Sequence, residues 1–160
     1  MIRITKQTDY GIVLASHLAT EPGRRFNAAV LSEETGLPLP MVSKILKLLA
    51  REGVLTSHRG VHGGYCLARP ASEIRISEVI ATLEGPIAIT ECIDDSPGVC
   101  SQEATCPMRS NWQVINAAIR SALDQITLAE MARPLATDPS GATEKLVSLN
   151  PGEFQRPATP

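Results

Sequence analysis

The chain has 160 residues, 43% of them hydrophobic and only 3% aromatic, with a formal net charge of -2. That length supports one sizeable core and excludes two independent large domains. Residues 1–25 show no long apolar run behind a basic start, and nowhere is there a run of about eighteen apolar residues, so neither an export signal nor a membrane span is expected and a cytoplasmic location is.

In a reducing compartment the four cysteines read as metal-binding or redox-sensing thiols rather than as a disulfide framework. Charge is distributed unevenly: residues 1–70 carry nine Lys and Arg against five Asp and Glu, and residues 71–160 carry six against twelve. A basic N-terminal half suits a polyanion such as DNA, although two ordinary solvated surfaces would give the same count.

Taken in chain order, residues 9–20 (DYGIVLASHLAT) put Ile12, Val13, Ala15, His17 and Leu18 mostly on one face and end at Glu21-Pro22-Gly23, which predicts a first helix. Residues 28–35 form a short second helix stopped by Gly36, and Leu37-Pro38-Leu39-Pro40 leads into a third with proline in its first turn. That third helix, about residues 40–52, spaces Val42, Ile45, Leu46 and Leu49 as one apolar stripe and leaves Met41, Ser43, Lys44, Lys47 and Arg51 on other faces. After Gly53, residues 54–57 and 65–68 read as two short strands around the glycine-rich loop Arg59-Gly60-Val61-His62-Gly63-Gly64, a wing.

Residues 77–84 (SEVIATLE) read as a helix ending at Gly85-Pro86, and residues 87–106 as an aperiodic loop bearing Cys92, Cys100 and Cys106. Pro107 opens a long helix in which Trp112, Ile115, Ile119, Ala122 and Ile126 recur at three- and four-residue steps. This seam reads as a dimerisation surface; packing on the chain's own core is the alternative. Thr127 and Glu130 fit a capping box that starts one further turn. Residues 132–160, with five prolines and little periodicity, read as a disordered tail.

The expected fold is therefore mainly α with a small β wing: a winged helix-turn-helix DNA-binding domain with its linking helix over 1–86, a cysteine loop over 87–106, and a long C-terminal dimerisation helix over 107–131. This arrangement, together with ITKQTDYGIVL, LPLPMVSKILKLLAREGVL and RGVHGGYCLARP, resembles the IscR/NsrR family of bacterial iron-sulfur regulators over about residues 1–131. Within that family, LEGPIAIT, TECIDDSPGVCSQEATCPMRSNW and ITLAEM look most similar to the regulators of the SUF iron-sulfur assembly system. The resemblance implies a homodimeric transcriptional repressor with double-stranded promoter DNA as partner, no small-molecule substrate and no membrane. A nitric-oxide sensor of the same family is the alternative.

By spacing alone, with seven and five residues between them, Cys92, Cys100 and Cys106 are either a metal site or three unrelated thiols. The resemblance implies that they hold an iron-sulfur cluster, 2Fe-2S before 4Fe-4S. Family members with a histidine three residues after the last cysteine have no counterpart here, because Arg109 occupies that position. Nitric-oxide-sensing members use an aspartate near the start of the first helix, which Asp9 matches; Thr8 and Asp9 also read as capping residues. Glu91, Asp94, Asp95 and Glu103 are the next candidates.

Cys66, on a predicted strand, reads as a small semi-buried hydrophobe. For DNA, Ser43, Lys44 and Lys47 offer short polar and basic groups to a major groove, Met41 a contact for a thymine methyl, Arg59 a group for a minor groove and His62 a phosphate contact. No GxGxxG, GxxxxGK[ST], GxSxG or HExxH occurs, so an enzyme is not expected. A zinc-stabilised adaptor and an iron-sulfur redox protein are the remaining readings.

Overall fold

In the computed structural model, which describes residues 3–60, 62–90, 93 and 105–133, helix α1 (Lys6–Thr20) starts three residues before the expected position. The Thr5 side chain is the cap, accepting from the Thr8 N–H at 3.3 Å. Asp9 lies inside the first turn, its own N–H already bonded to the Thr5 carbonyl at 3.0 Å, so neither Thr8 nor Asp9 is the cap read from the sequence. The buried face is Thr8, Gly11, Leu14, Ala15 and Leu18, while Val13 is exposed.

Helix α2 (Ala28–Thr35) is capped by Asn27, which accepts from the Val30 N–H at 2.9 Å, and ends at Gly36 with φ 69°. A left-handed residue there turns the chain at little cost because glycine has no Cβ. Helix α3 (Leu39–Arg51) follows, with Val42, Ile45, Leu46 and Leu49 all inaccessible to solvent, as their spacing predicts. Each such side chain contributes roughly 1.5–3 kcal/mol by leaving water.

Strands β1 (Leu55–His58) and β2 (Gly64–Leu67) pair antiparallel, with Leu55 opposite Leu67 and His58 opposite Gly64. The hairpin is not free-standing. Phe26, between α1 and α2, bridges to Tyr65 through two backbone hydrogen bonds of 2.9 and 2.8 Å, and its ring is buried. Arg24 covers that ring at 4.3 Å and pairs with Glu34 at 3.2 Å, while the His17 imidazole lies 2.6 Å from the other Glu34 oxygen. The hydrogen bond with His17 and the charge of Arg24 outweigh desolvation and hold the Glu34 carboxyl below its usual value of 4.5.

A 3-10 turn (Ala71–Glu73) leads to α4 (Ile76–Glu84), which packs against α1 and α3. The Thr5 N–H donates to Glu84 Oε1 at 2.8 Å and Gln7 Nε2 donates to the Leu83 carbonyl at 3.1 Å, fastening the two helix ends together. Helix α5 (Arg109–Asp124) packs on α4, and the single turn α6 (Leu128–Met131) returns to the core. There the Leu128 N–H donates to the Ile74 carbonyl at 2.8 Å and the Leu128 side chain is fully buried. The capping box of Thr127 and Glu130 is present. The expected tail, from 134 onwards, lies outside the described residues.

Gly64 permits the wing to close on residue 26: a Cβ at that position would stand 2.7 Å from the Phe26 carbonyl oxygen and 2.8 Å from its carbon. Gly64→Ala is expected to destabilise the protein by about 1–3 kcal/mol, since backbone atoms must move apart. Urea unfolding measures this, and an unchanged midpoint would show that the bridge does not constrain the wing.

Candidate nucleic-acid interface and cysteine loop

Burial of the α3 stripe leaves a definite outer face. Lys44, Lys47 and Arg51 are exposed and Ser43 is half-buried, while Met41 is half-buried against the core. Leu39, passed over in the sequence as part of a connector, is the first residue of α3 and is 45% exposed. With Ser43 and Lys47 it forms an i, i+4, i+8 row, apolar, polar, then cationic.

Arg59 and His62 are both exposed on the wing loop, which is tightened by a Gly63 N–H to Gly60 carbonyl bond of 2.9 Å. Among the described residues Lys44, Lys47 and Arg59 have no ion-pair partner, whereas Arg51 and Arg69 each have one and Arg24 has two. Lys44, Lys47 and Arg59 thus keep their charge available to an outside anion.

Cys92 and Cys100 lie outside the described residues, as do Glu91, Asp94, Asp95 and Glu103. Cys106 is a half-buried free thiol. Its carbonyl accepts from the Arg109 N–H at 3.4 Å, and the helix starts at Arg109, so Pro107 precedes the helix instead of opening it.

The other end of the cysteine segment is held by Asn116, the one buried residue of α5. Its Nδ2 donates to the Ile87 carbonyl at 3.0 Å and its Oδ1 accepts from the Ile89 N–H at 3.3 Å. Sequence reading missed this residue; the only signal was one amide flanked by Ile115 and Ala117 in an apolar seam.

That seam divides in two. Trp112 and Ile115 are exposed, as are Met108 and Val114, whereas Ile119 and Ala122 are half-buried. Ile126 falls beyond the end of α5 and packs with Leu123 against the protein's own core. Asp9 is exposed and lines a groove of about 490 Å3 with Ile12, Val13, Ser16, Thr35 and Met131. The Ser16 hydroxyl is buried there without a hydrogen-bond partner.

A helix-turn-helix braced by a two-stranded wing, with exposed cations Lys44 and Lys47 on the second helix and Arg59 at the wing tip, defines a DNA-binding winged-helix transcriptional regulator. Residues 4–134 match the family model described as Rrf2, iron-dependent transcriptional regulator, and the chain belongs to that family. Protein rrf2 of Nitratidesulfovibrio vulgaris is 28% identical over 145 residues, covering 88% of this chain and 94% of its own. Among solved structures, CymR, the global cysteine regulator of B. subtilis, superposes with a TM-score of 0.65 at 26% identity, covering 82% of this chain and 97% of its own. T. potens IscR gives 0.62 at 27% identity, covering 81% and 85%. These relatives are regulators and not enzymes. Among the described residues no helix is long and apolar enough to cross a membrane.

Asn116→Ala is expected to leave the Ile87 carbonyl and Ile89 N–H without their partner, costing about 1–3 kcal/mol. Hydrogen exchange should accelerate at the Ile89 amide before it does in α3. Unaltered protection at Ile89 would mean that Asn116 does not hold the segment.

Proposed function

We propose that the protein is a homodimeric repressor that reads an iron-sulfur cluster held by Cys92, Cys100 and Cys106, and controls genes of the SUF assembly system. The observation that carries this reading is the composition of α5: the Cys106 thiol stands just before its first turn, and its first two turns expose Trp112, Val114 and Ile115. Ligand state and subunit pairing therefore share one element. A second copy covering Trp112, Ile115 and Ile119 would remove that surface from water.

Three thiolates from one segment are the donor set that iron-sulfur clusters take, with 2Fe-2S favoured over 4Fe-4S. Such a cluster supplies a group whose integrity depends on iron and oxidant. The chain's own part would be to supply the three sulfurs, Cys106 from just before α5, with Asn116 tying that helix to the chain after α4. A coupling of about 1–3 kcal/mol between this site and the DNA face is the usual scale for such switches.

Asp9 supports the nitric-oxide-sensing alternative. Thr5 does the capping, so the Asp9 carboxylate is exposed beside a groove and available as a fourth ligand from the partner subunit.

Iron and acid-labile sulfide in anaerobically purified protein test the central claim; zinc without sulfide would replace it with the structural-metal reading. Cys92→Ala, Cys100→Ala and Cys106→Ala should each abolish visible absorption, and Cys66→Ala should not. Asp9→Ala should make the cluster labile while leaving the melting of the apoprotein unchanged. An unchanged holo spectrum would transfer the fourth-ligand role to Glu91, Asp94, Asp95 or Glu103.

On the DNA side, Ser43, Lys44 and Lys47 face the major groove with Met41 at its margin, and Arg59 and His62 reach the flanking backbone or minor groove. Lys47→Ala should weaken binding to every sequence alike and reduce the salt slope by about 1. Ser43→Ala should instead alter sequence preference. A selection from a randomised operator library measures both, and identical preferences would remove Ser43 from the reading face.

A further inference from the structure

Cys66 takes no part in the proposed cluster; it is half-buried, as expected from sequence, and the hairpin register adds a neighbour that the sequence did not show. Leu55 pairs with Leu67 and Ser57 with Tyr65 on one face, and Leu55, Tyr65 and Leu67 turn inward to the core. Thr56, paired with Cys66, is exposed, so Cys66 belongs to the outward face of the wing. His58 is diagonal to it on that same face. Its direct partner is Gly64, which has no side chain to separate the two, and the His58 Nε2 lies 3.6 Å from the Cys66 Sγ. Both residues are half-buried.

An imidazole nitrogen at that distance from a thiol is placed to take its proton as the sulfur attacks. No third metal-ligating side chain joins the pair among the described residues, so the arrangement fits covalent chemistry on sulfur better than an ion.

The geometry points to Cys66 and His58 as a reactive-thiol site on the outer face of the wing, which forms a mixed disulfide with low-molecular-weight disulfides such as oxidised glutathione. In that step His58 accepts the Cys66 proton, the Cys66 sulfur attacks one sulfur of the disulfide, and the new S–S bond forms as the old one breaks. The released thiolate takes up the proton. The protein thiol is oxidised and the small disulfide reduced, with no other reactant. His58 immediately precedes Arg59, so the adduct would sit beside the wing-tip cation and carry its carboxylates towards it. A regulatory effect rests on the reading of the wing as a DNA contact; the chemistry does not.

The intact protein, incubated with oxidised glutathione at neutral pH, is digested and the Cys66 peptide quantified by mass spectrometry. Cys66 should form its adduct about fivefold faster or more than in the urea-unfolded chain, and His58→Phe should remove most of that advantage without changing the melting temperature. Equal rates in folded and unfolded chains, or no effect of His58→Phe, would overturn the site. The adduct should then weaken DNA binding by about tenfold relative to Cys66→Ser treated identically. If the adduct forms and binding matches the Cys66→Ser control, the regulatory role is overturned while the wing and cluster readings stand on their own tests.

Discussion

The orientation of α3 depends on four side chains. Val42, Ile45, Leu46 and Leu49 are wholly buried, and their common stripe fixes the rotation of the helix about its axis. With that rotation set, Leu39, Ser43 and Lys47 are aligned on the opposite side and Lys44 stands beside them. Among the described residues no side-chain hydrogen bond or ion pair holds those outer residues in place. Their presentation follows from apolar burial on the other face, and a Leu46→Ala type of loss, about 2–5 kcal/mol, would reach the outer face through the same packing.

How much of this was legible in the sequence follows from the range of the interaction involved. The α3 stripe, the Gly36 turn and the Thr127–Glu130 capping box are local patterns, and each was readable from residues a few positions apart. The start of α1 was not, because Thr5, Lys6, Gln7 and Thr8 carry no apolar periodicity and the cap is recognised only by its bond to the Thr8 N–H. Ile126 was assigned to a helix surface because three- and four-residue steps run on past Gln125, where the helix has already ended. Phe26 and Asn116 escaped notice for a different reason: their partners, Tyr65 and the 87–89 segment, are distant in the chain. For Cys66, the strand was expected but its face was not, since a shift of one residue in register exchanges the two sides of a hairpin.

Helix α5 serves two environments along its length. Its later turns, with Leu123 packed against the core and Asn116 bonded to the chain after α4, belong to the protein's own interior. Its early turns expose Trp112 and Ile115. Of the alternatives drawn from the sequence, packing on the chain's own core holds for the later turns, and the early turns are exposed. Partial burial pushes the Glu84 carboxyl up, but hydrogen bonds from the Thr5 backbone and from the Thr8 and Thr5 hydroxyls hold it below its usual value. Its ionised form therefore strengthens the α1–α4 junction above the ordinary carboxylate range, and that contribution fades as pH falls through the lowered value.

The bridge between Phe26 and Tyr65 has a mechanical consequence. It joins β2, near the wing loop, to the chain that enters the helix-turn-helix, while the Val54 N–H to Leu49 carbonyl bond of 2.9 Å joins the root of the wing to the end of α3. Clamped near its tip and at its root, the wing forms with the second helix a fixed calliper rather than two independent fingers. A duplex engaged by both jaws must supply the adjustment itself, through its groove width and its bend. Base steps that the protein never touches then influence affinity through the stiffness of the DNA.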